Sequence, residues 1–279
     1  MALKRVAAVS DLSCLGKCSL TVALPILSAA GIEASPIPTA VLSTHTGGFG
    51  ENTLRDLSED ILPIARHWKR EGVALDAIYT GYLCSERQAD LVLQAVGTLC
   101  GRDTLVVTDP AMADHGRLYR GLPANFPSAM LRLCRAADII TPNLTEAAML
   151  VGDSLPEEGY NTEQTEELVM RLYEQTGAAV VLTGVSPSED KIGAAVFDGN
   201  AVSYVFSEKQ DRIAHGTGDI FASVLTAALL NGQRLTAAAQ IAADFTGECI
   251  KVTPPGKEQE RYGLHFESQL PKLAAYFQP

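Results

Sequence analysis

His215-Gly216-Thr217-Gly218-Asp219 runs directly into the apolar stretch Ile220-Phe221-Ala222-Ser223-Val224-Leu225. Two glycines let the backbone turn tightly into a helix, so that successive N–H groups at its positive end face a bound anion. A carboxylate in that place repels the ligand the amides attract, so it is misplaced as a stabilising device. It fits a reaction instead. Asp219 takes the proton from an attacking hydroxyl while the amides of Gly216, Thr217 and Gly218 hold a transferring phosphoryl group. The competing reading is a glycine-rich loop in which Asp219 is an ordinary helix cap.

Other oxygen-bearing segments lie upstream. Thr108-Asp109-Pro110-Ala111-Met112-Ala113-Asp114 sets two carboxylates beside one expected strand end, and Thr141-Pro142-Asn143-Leu144-Thr145-Glu146 follows the next. Hard oxygen ligands from neighbouring strand ends suit Mg2+ held through water with nucleotide phosphates. Asn143 with Glu146 three residues on reads equally well as a capping box. Asn143-Leu144-Thr145 also matches a glycosylation sequon, discounted because the short apolar run after Met-Ala-Leu-Lys-Arg is no secretion signal. Ser10, the segment Ser43-Thr44-His45-Thr46-Gly47-Gly48 and Thr80-Gly81-Tyr82 put hydroxyls, an imidazole and a flat ring at further strand ends, where open parallel sheets bind ligands. Each has a plainer reading as a self-capping loop or as packing at a rim. Gly16-Lys17-Cys18-Ser19 looks like part of a phosphate-binding loop, but a cysteine separates its lysine from its serine. No GxGxxG follows the first strand either, which argues against a dinucleotide fold. His67, His115 and His265 share no metal-ligand spacing, and His215 is read as a support for the turn it precedes.

These residues need a frame. Strands are expected at residues 6–10, 34–43, 77–81, 104–109, 139–141 and 180–183, each apolar on both faces as parallel strands covered by helices are. Helical patterns run over 18–30, 52–70, 86–99, 126–136, 146–151 and 162–176. The alternation predicts an α/β fold with a doubly wound, mostly parallel sheet. Past residue 183, stretches 193–197 and 201–206 flank Asp198-Gly199-Asn200, a hairpin signal, and helices are expected at 217–230, 236–252 and near 266–277. With no linker, repeat or low-complexity tract, residues 1–279 read as one domain. Of the Gly- and Pro-rich loops at 47–51 and 116–127, the second is placed to act as a lid.

Composition narrows the partners. The chain has 279 residues, 47% apolar and 20% charged, enough for one large core. Its net charge of −11 disfavours nucleic acid and anionic membranes, so phosphate must be met by local amides, a few cations or a metal. Cysteines 14, 18, 84, 100, 134 and 249 lack paired CxxC spacing and read as reduced thiols. No apolar run reaches membrane length, and a cytoplasmic protein is expected.

Taken together the motifs resemble the ribokinase superfamily, and within it the pyridoxal kinase branch, over residues 6–252. Gly216-Thr217-Gly218-Asp219 is similar to the family's anion hole with its catalytic aspartate. Thr141-Pro142-Asn143 through Glu146, with Ala147 and Leu150, is similar to its TPNxxEAxxL metal and phosphate segment, and Asp109-Pro110 with Asp114 to its DPxxxD segment near magnesium. The resemblance implies a ribokinase-like fold and ATP-dependent phosphorylation of the 5′-hydroxymethyl group of pyridoxal, pyridoxamine or pyridoxine. It implies Asp219 as the base, Mg2+ organised by Asp109, Asp114 and Glu146, and ATP contacts from Asp109, Asn143, Thr183, Gly184 and Thr217. Ser10, His45, Thr46 and Tyr82 would meet the pyridine ring, and residues 205–213 with those near Ala243 and Cys249 the adenine. A homodimer and a monovalent cation such as K+ belong to the same implication.

Two features depart from that branch. The first strand continues Asp11-Leu12-Ser13-Cys14-Leu15, where the better-known pyridoxal kinases are rich in His and Val. His215 before the GTG is seen in the hydroxymethylpyrimidine kinase branch, which carries an early Asp but also glycines absent here. A hydroxymethylpyrimidine kinase is therefore the alternative, and a non-catalytic pyridoxal phosphate-binding relative a further one. Against the latter, a retired site has no reason to keep Asp219 and both glycines.

Overall fold

The structure is a computed structural model that describes residues 3–156, 159–210 and 215–277. In chain order its strands are β1 (Lys4–Ser13), β2 (Ile32–Leu42), β3 (Leu54–Asp56), β4 (Ala77–Thr80), β5 (Leu105–Thr108) and the short pair β6 (Ala113–Asp114) and β7 (Arg117–Leu118). They continue with β8 (Ile139–Ile140), β9 (Ala179–Ser188), β10 (Lys191–Phe197) and β11 (Val202–Glu208). Residues 6–11 of β1 are all buried, which requires cover on both faces and so places this strand inside a parallel sheet.

One nine-stranded sheet results, ordered β11-β10-β9-β8-β5-β4-β1-β2-β3. Its six middle strands, from β9 to β2, run parallel, while β3, β10 and β11 are antiparallel additions at the edges. Helix α1 (Leu20–Ala29) carries the chain from β1 to β2 on one side, whereas β4 joins β1 on the other. Successive loops therefore diverge between β1 and β4, and such a switch point leaves a crevice at the carboxyl ends of the strands.

Alternate strand residues feed two cores. Ala7, Val9, Ile78, Val106, Ile140 and Leu182 face α2 (Ser58–Arg70), α3 (Glu86–Leu99), α4 (Phe126–Cys134), α5 (Leu144–Val151) and α6 (Thr162–Thr176). Val6, Tyr79, Val107, Ile139 and Val181 face the opposite layer of α1, α7 (Thr217–Leu230) and α8 (Leu235–Val252). The short α9 (Lys257–Tyr262) leads to α10 (Leu270–Phe277), which packs on α1.

The α/β architecture agrees with expectation, and three local features do not. The helix expected over 52–70 starts only at Ser58, because Leu54–Asp56 pairs antiparallel with the end of β2. Asp56 then stops the strand by accepting the Ser58 N–H at 2.8 Å. The β6–β7 hairpin occupies part of the segments read as loop, and α9 was not foreseen. Strands of two residues carry no periodic signal.

Candidate active site

The loops at the switch point enclose a cavity of about 380 Å³. Asp11, Ser13 and Ser19 line it from the end of β1 and the start of α1, His45 and Thr46 from beyond β2, and Tyr82 from beyond β4. The β6–β7 hairpin and its exit supply Asp114, Arg117, Tyr119 and Arg120, and the start of α7 supplies Gly216 and Asp219.

Gly216 is the N-cap of α7 with φ 84°, and among the described residues no side chain caps this helix. A Cβ there would lie 2.3 Å from the Lys17 carbonyl oxygen, so only glycine lets the turn press against that backbone. The first-turn N–H groups are left for an anion, and the ordinary-cap reading of Asp219 has no hydrogen bond to rest on. Burial pushes the Asp219 carboxyl up to about 7, with the Ser19 N–H opposing and the Asp11 charge adding. A base that titrates there is matched to neutral-pH proton transfer. Ser19 itself holds a left-handed φ of 52° as the N-cap of α1 and gives its side chain to no cap. Such strain persists where surroundings enforce it, commonly beside a site.

His45 is a buried, neutral imidazole of defined tautomer. Its Nδ1 accepts the Gly47 N–H at 3.1 Å, so the proton is on Nε2, 2.6 Å from the Arg261 carbonyl oxygen. Burial lowers its pKa. The His215 ring packs against it at 4.9 Å, and the two histidines form one wall of the cavity.

Asn143 and Glu146 form a capping box on α5. Glu146 Oε2 accepts the Asn143 N–H at 2.9 Å, while Oε1 accepts Met112 N–H at 3.0 Å and Ala113 N–H at 3.3 Å. Asn143 Nδ2 donates to the Ala113 carbonyl at 2.8 Å, and Thr145 Oγ1 accepts the Gly116 N–H at 3.0 Å. This segment thus pins the hairpin that walls the cavity. Glu146→Gln turns an amide NH2 toward a backbone N–H, leaving buried polar groups unpaired at about 1–3 kcal/mol. The expected result is a melting temperature lower by several degrees, at roughly 2–4 °C per kcal/mol. Calorimetry beside a Mg2+ titration checks it; an unmoved melting temperature with weakened Mg2+ dependence would assign Glu146 to the metal instead.

Asp109, Asp114 and Glu146 lie near enough for their charges to interact, without forming a ready-made ligand cluster among the described residues. Asp114 is exposed and accepts the His115 N–H, both Glu146 oxygens serve backbone, and the described residues contain no three-membered metal-ligating group. Asp109 is buried beneath α7, its carboxylate 3.8 Å from where a Gly218 Cβ would stand. Burial, then the charges of Glu146 and Asp219, raise its pKa well above the carboxylate range. Hard oxygens that repel one another fit a divalent cation carried mainly by phosphates.

The remaining expectations divide. Thr183 donates to the Pro142 carbonyl and bridges to Asn143, with Gly184 exposed beside it, so these line up with the start of α5 at the strand ends. Thr217 and Gly218 open α7. Ser10 is not among the cavity-lining residues: its buried hydroxyl finds no partner, and a Cβ on Gly81 would meet it at 2.9 Å. Asp11 and Ser13 reach the cavity in its place. Cys249 is fully buried among apolar side chains, and residues 211–213 of the expected adenine segment lie outside the described residues. All six thiols are free; Cys18 lines the cavity, but burial and the Asp219 charge keep its thiol protonated.

Sequence reasoning also passed over Ser19, Arg117, Tyr119 and Arg120. The arginines answer the need for local positive charge in an acidic chain, and two of them three residues apart in the loop beside the site were the available signal. Arg120 donates to Asn52 Oδ1 at 3.1 Å, tying this loop to the segment before β3. Among the described residues no helix is long and apolar enough to cross a membrane.

Comparison with known proteins gives a consistent picture. The phosphomethylpyrimidine kinase family profile matches residues 24–262. A protein of Bacteroides thetaiotaomicron assigned as a phosphomethylpyrimidine kinase, in a crystal form with pyridoxal, superposes with a TM-score of 0.90 and 35% identity, over 97% of this chain and 96% of its own. The pyridoxal kinase of Lactobacillus plantarum superposes with a TM-score of 0.88 and 30% identity, over 99% and 98%. A pyridoxine kinase of Bacillus subtilis is 28% identical over 188 residues, 66% of this chain and 67% of that protein.

Proposed function

The chain belongs to the phosphomethylpyrimidine kinase family, ribokinase-like in fold, and from that premise we propose that it transfers the γ-phosphoryl group of ATP to the 5′-hydroxymethyl group of a vitamin B6 vitamer. The observation that carries the reading is Asp219, titrating near 7 in the first turn of an uncapped helix and facing a cavity large enough for a substituted pyridine. Asp219 removes the proton of the substrate hydroxyl. The amides of Gly216, Thr217 and Gly218 hold the phosphoryl group in transit, so positioning and charge neutralisation supply most of the rate. Asn143, Thr183 and Gly184 extend along the ATP phosphates, and Arg117 and Arg120 add positive charge from the lid. Mg2+ bound with ATP neutralises phosphate charge, and Asp109 with the start of α5 would hold its waters. A homodimer, a cytoplasmic location and a K+ requirement belong to the same reading.

Tyr82, His45 and Thr46 take the ring. Tyr82 is 8% exposed, its ring 6.4 Å from that of Tyr119 across the cavity. A stacking face contributes roughly 0.5–1.5 kcal/mol beyond area burial, so Tyr82→Ala raises the vitamer KM about two- to tenfold and leaves the ATP KM unchanged. Ser10→Ala, altering a hydroxyl outside the cavity, leaves both constants alone. If Tyr82→Ala disturbs only ATP, the ring does not sit there. Hydroxymethylpyrimidine is the second reading, favoured by the family's name and by the assignment of the Bacteroides protein.

A further inference from the structure

Asp11 is a cavity carboxylate whose charge adds to the Asp219 shift but to which the reading above gives no contact with substrate. It is only 2% exposed and yet lines the cavity. It sits where β1 slips register against β2: Ser10 pairs with Pro38 and Leu12 with Val41, so two residues of β2 oppose Asp11 alone. The extra residue belongs to β2, so β1 keeps its alternation, and Asp11 and Ser13, two residues apart, share the face that lines the cavity while Ser10 lies on the other.

Burying a carboxylate costs several kcal/mol unless it is matched. Ser13 Oγ donates to Asp11 Oδ2 at 2.8 Å, and the Ser19 hydroxyl helps to hold the charge. Neither supplies a positive partner, and among the described residues no ion pair involves Asp11. Because Ser13 gives its proton to Asp11, both residues offer the cavity oxygen lone pairs. A ring entering against them must bring the hydrogen. A 3-hydroxypyridine does so, since in neutral water it carries a proton on its ring nitrogen. A neutral pyrimidine nitrogen is an acceptor and meets lone pairs with a lone pair.

We infer that Asp11, oriented by Ser13, is the specificity-determining carboxylate that receives the protonated ring nitrogen of a 3-hydroxypyridine substrate. The inference rests on the kinase reading above. The bond is charge-assisted, the strong class of hydrogen bond, and Asp219 at the reacting hydroxyl is a separate group.

The test is steady-state kinetics with pyridoxine and its benzene analogue, in which C–H replaces the ring nitrogen, on wild type and Asp11→Asn. The wild type should show a KM for the analogue roughly 10- to 100-fold above that for pyridoxine. Asp11→Asn should raise the pyridoxine KM by a similar factor, move the analogue KM little and leave the ATP KM unchanged. The first comparison needs no variant, so it stands even if Asp11→Asn folds poorly. Equal KM values for the two compounds in the wild type, or an equal loss of both in the variant, overturn the inference while leaving the kinase assignment intact. Absence of any pyridoxine or pyridoxal turnover by the wild type overturns the assignment and the inference with it.

Discussion

Asp219→Asn lowers kcat by roughly 10²–10⁴-fold, the usual contribution of a general base, while ATP binding is kept. The amide preserves shape and hydrogen bonding and loses only the ability to take a proton. In the wild type, kcat/KM rises with pH to a plateau above about 7, where the Asp219 carboxyl is ionised. The variant lacks that limb. Stability moves the other way. Burial raises this acid from 3.8 in the unfolded chain to about 7, so the folded state binds more protons between those values. Wild-type stability therefore falls as pH rises through that window, and the cost is fully present above it. Asp219→Asn removes the cost, so the variant melts higher than wild type at pH 8 and the gain vanishes toward pH 4. Calorimetry at the two pH values and a pH–rate profile check both halves. Near-wild-type turnover by the variant would remove Asp219 from its role.

Gly216→Ala is expected to cost at least about 100-fold in kcat/KM, the scale for losing one preorganised anion-hole donor. The added Cβ meets the Lys17 carbonyl at 2.3 Å at a φ of 84°, so the turn must move and its amides with it. Gly232→Ala is the control. Its φ of 85° carries the same left-handed penalty of roughly 1–2 kcal/mol, but nothing lies within 4 Å of the new Cβ. Both variants should melt lower, and only Gly216→Ala should lose activity. Normal kinetics for Gly216→Ala would mean that its amide does not face the phosphoryl group.

Much of this frame was legible where local and global signals agree. Helix α6 falls on the expected 162–176 because Asn161 and Gln164 form a capping box at its start and Gly177 takes the left-handed C-cap. Helix α7 falls on 217–230 because the two-glycine turn sets its start. Asp219, Tyr82, His45 and Thr46 reach one cavity as expected, since each ends or follows an element at the same edge of the sheet.

Other features were less legible. Ser10 is expected at the site from its place at the end of the first strand and from the family resemblance, whereas the cavity is lined by Asp11 and Ser13, which alternate with it on the same strand. Of the two readings of Glu146, metal ligand and cap, the structure shows the cap. The N–H groups of Met112 and Ala113 that occupy it belong to a hairpin too short to show in any pattern. Long-range pairing and brief strands are the information one chain's periodicity does not carry.

The central claim is tested most directly by incubating the purified full chain with ATP and Mg2+ against pyridoxal, pyridoxamine, pyridoxine, hydroxymethylpyrimidine and ribose. Products are identified by mass and by the position of the new ester. The account predicts a 5′-phosphate of at least one B6 vitamer, formed with kcat/KM well above that for hydroxymethylpyrimidine and with ribose untouched. Preferential phosphorylation of the pyrimidine or of ribose, or no ATP-dependent ester with any of the five, would contradict it.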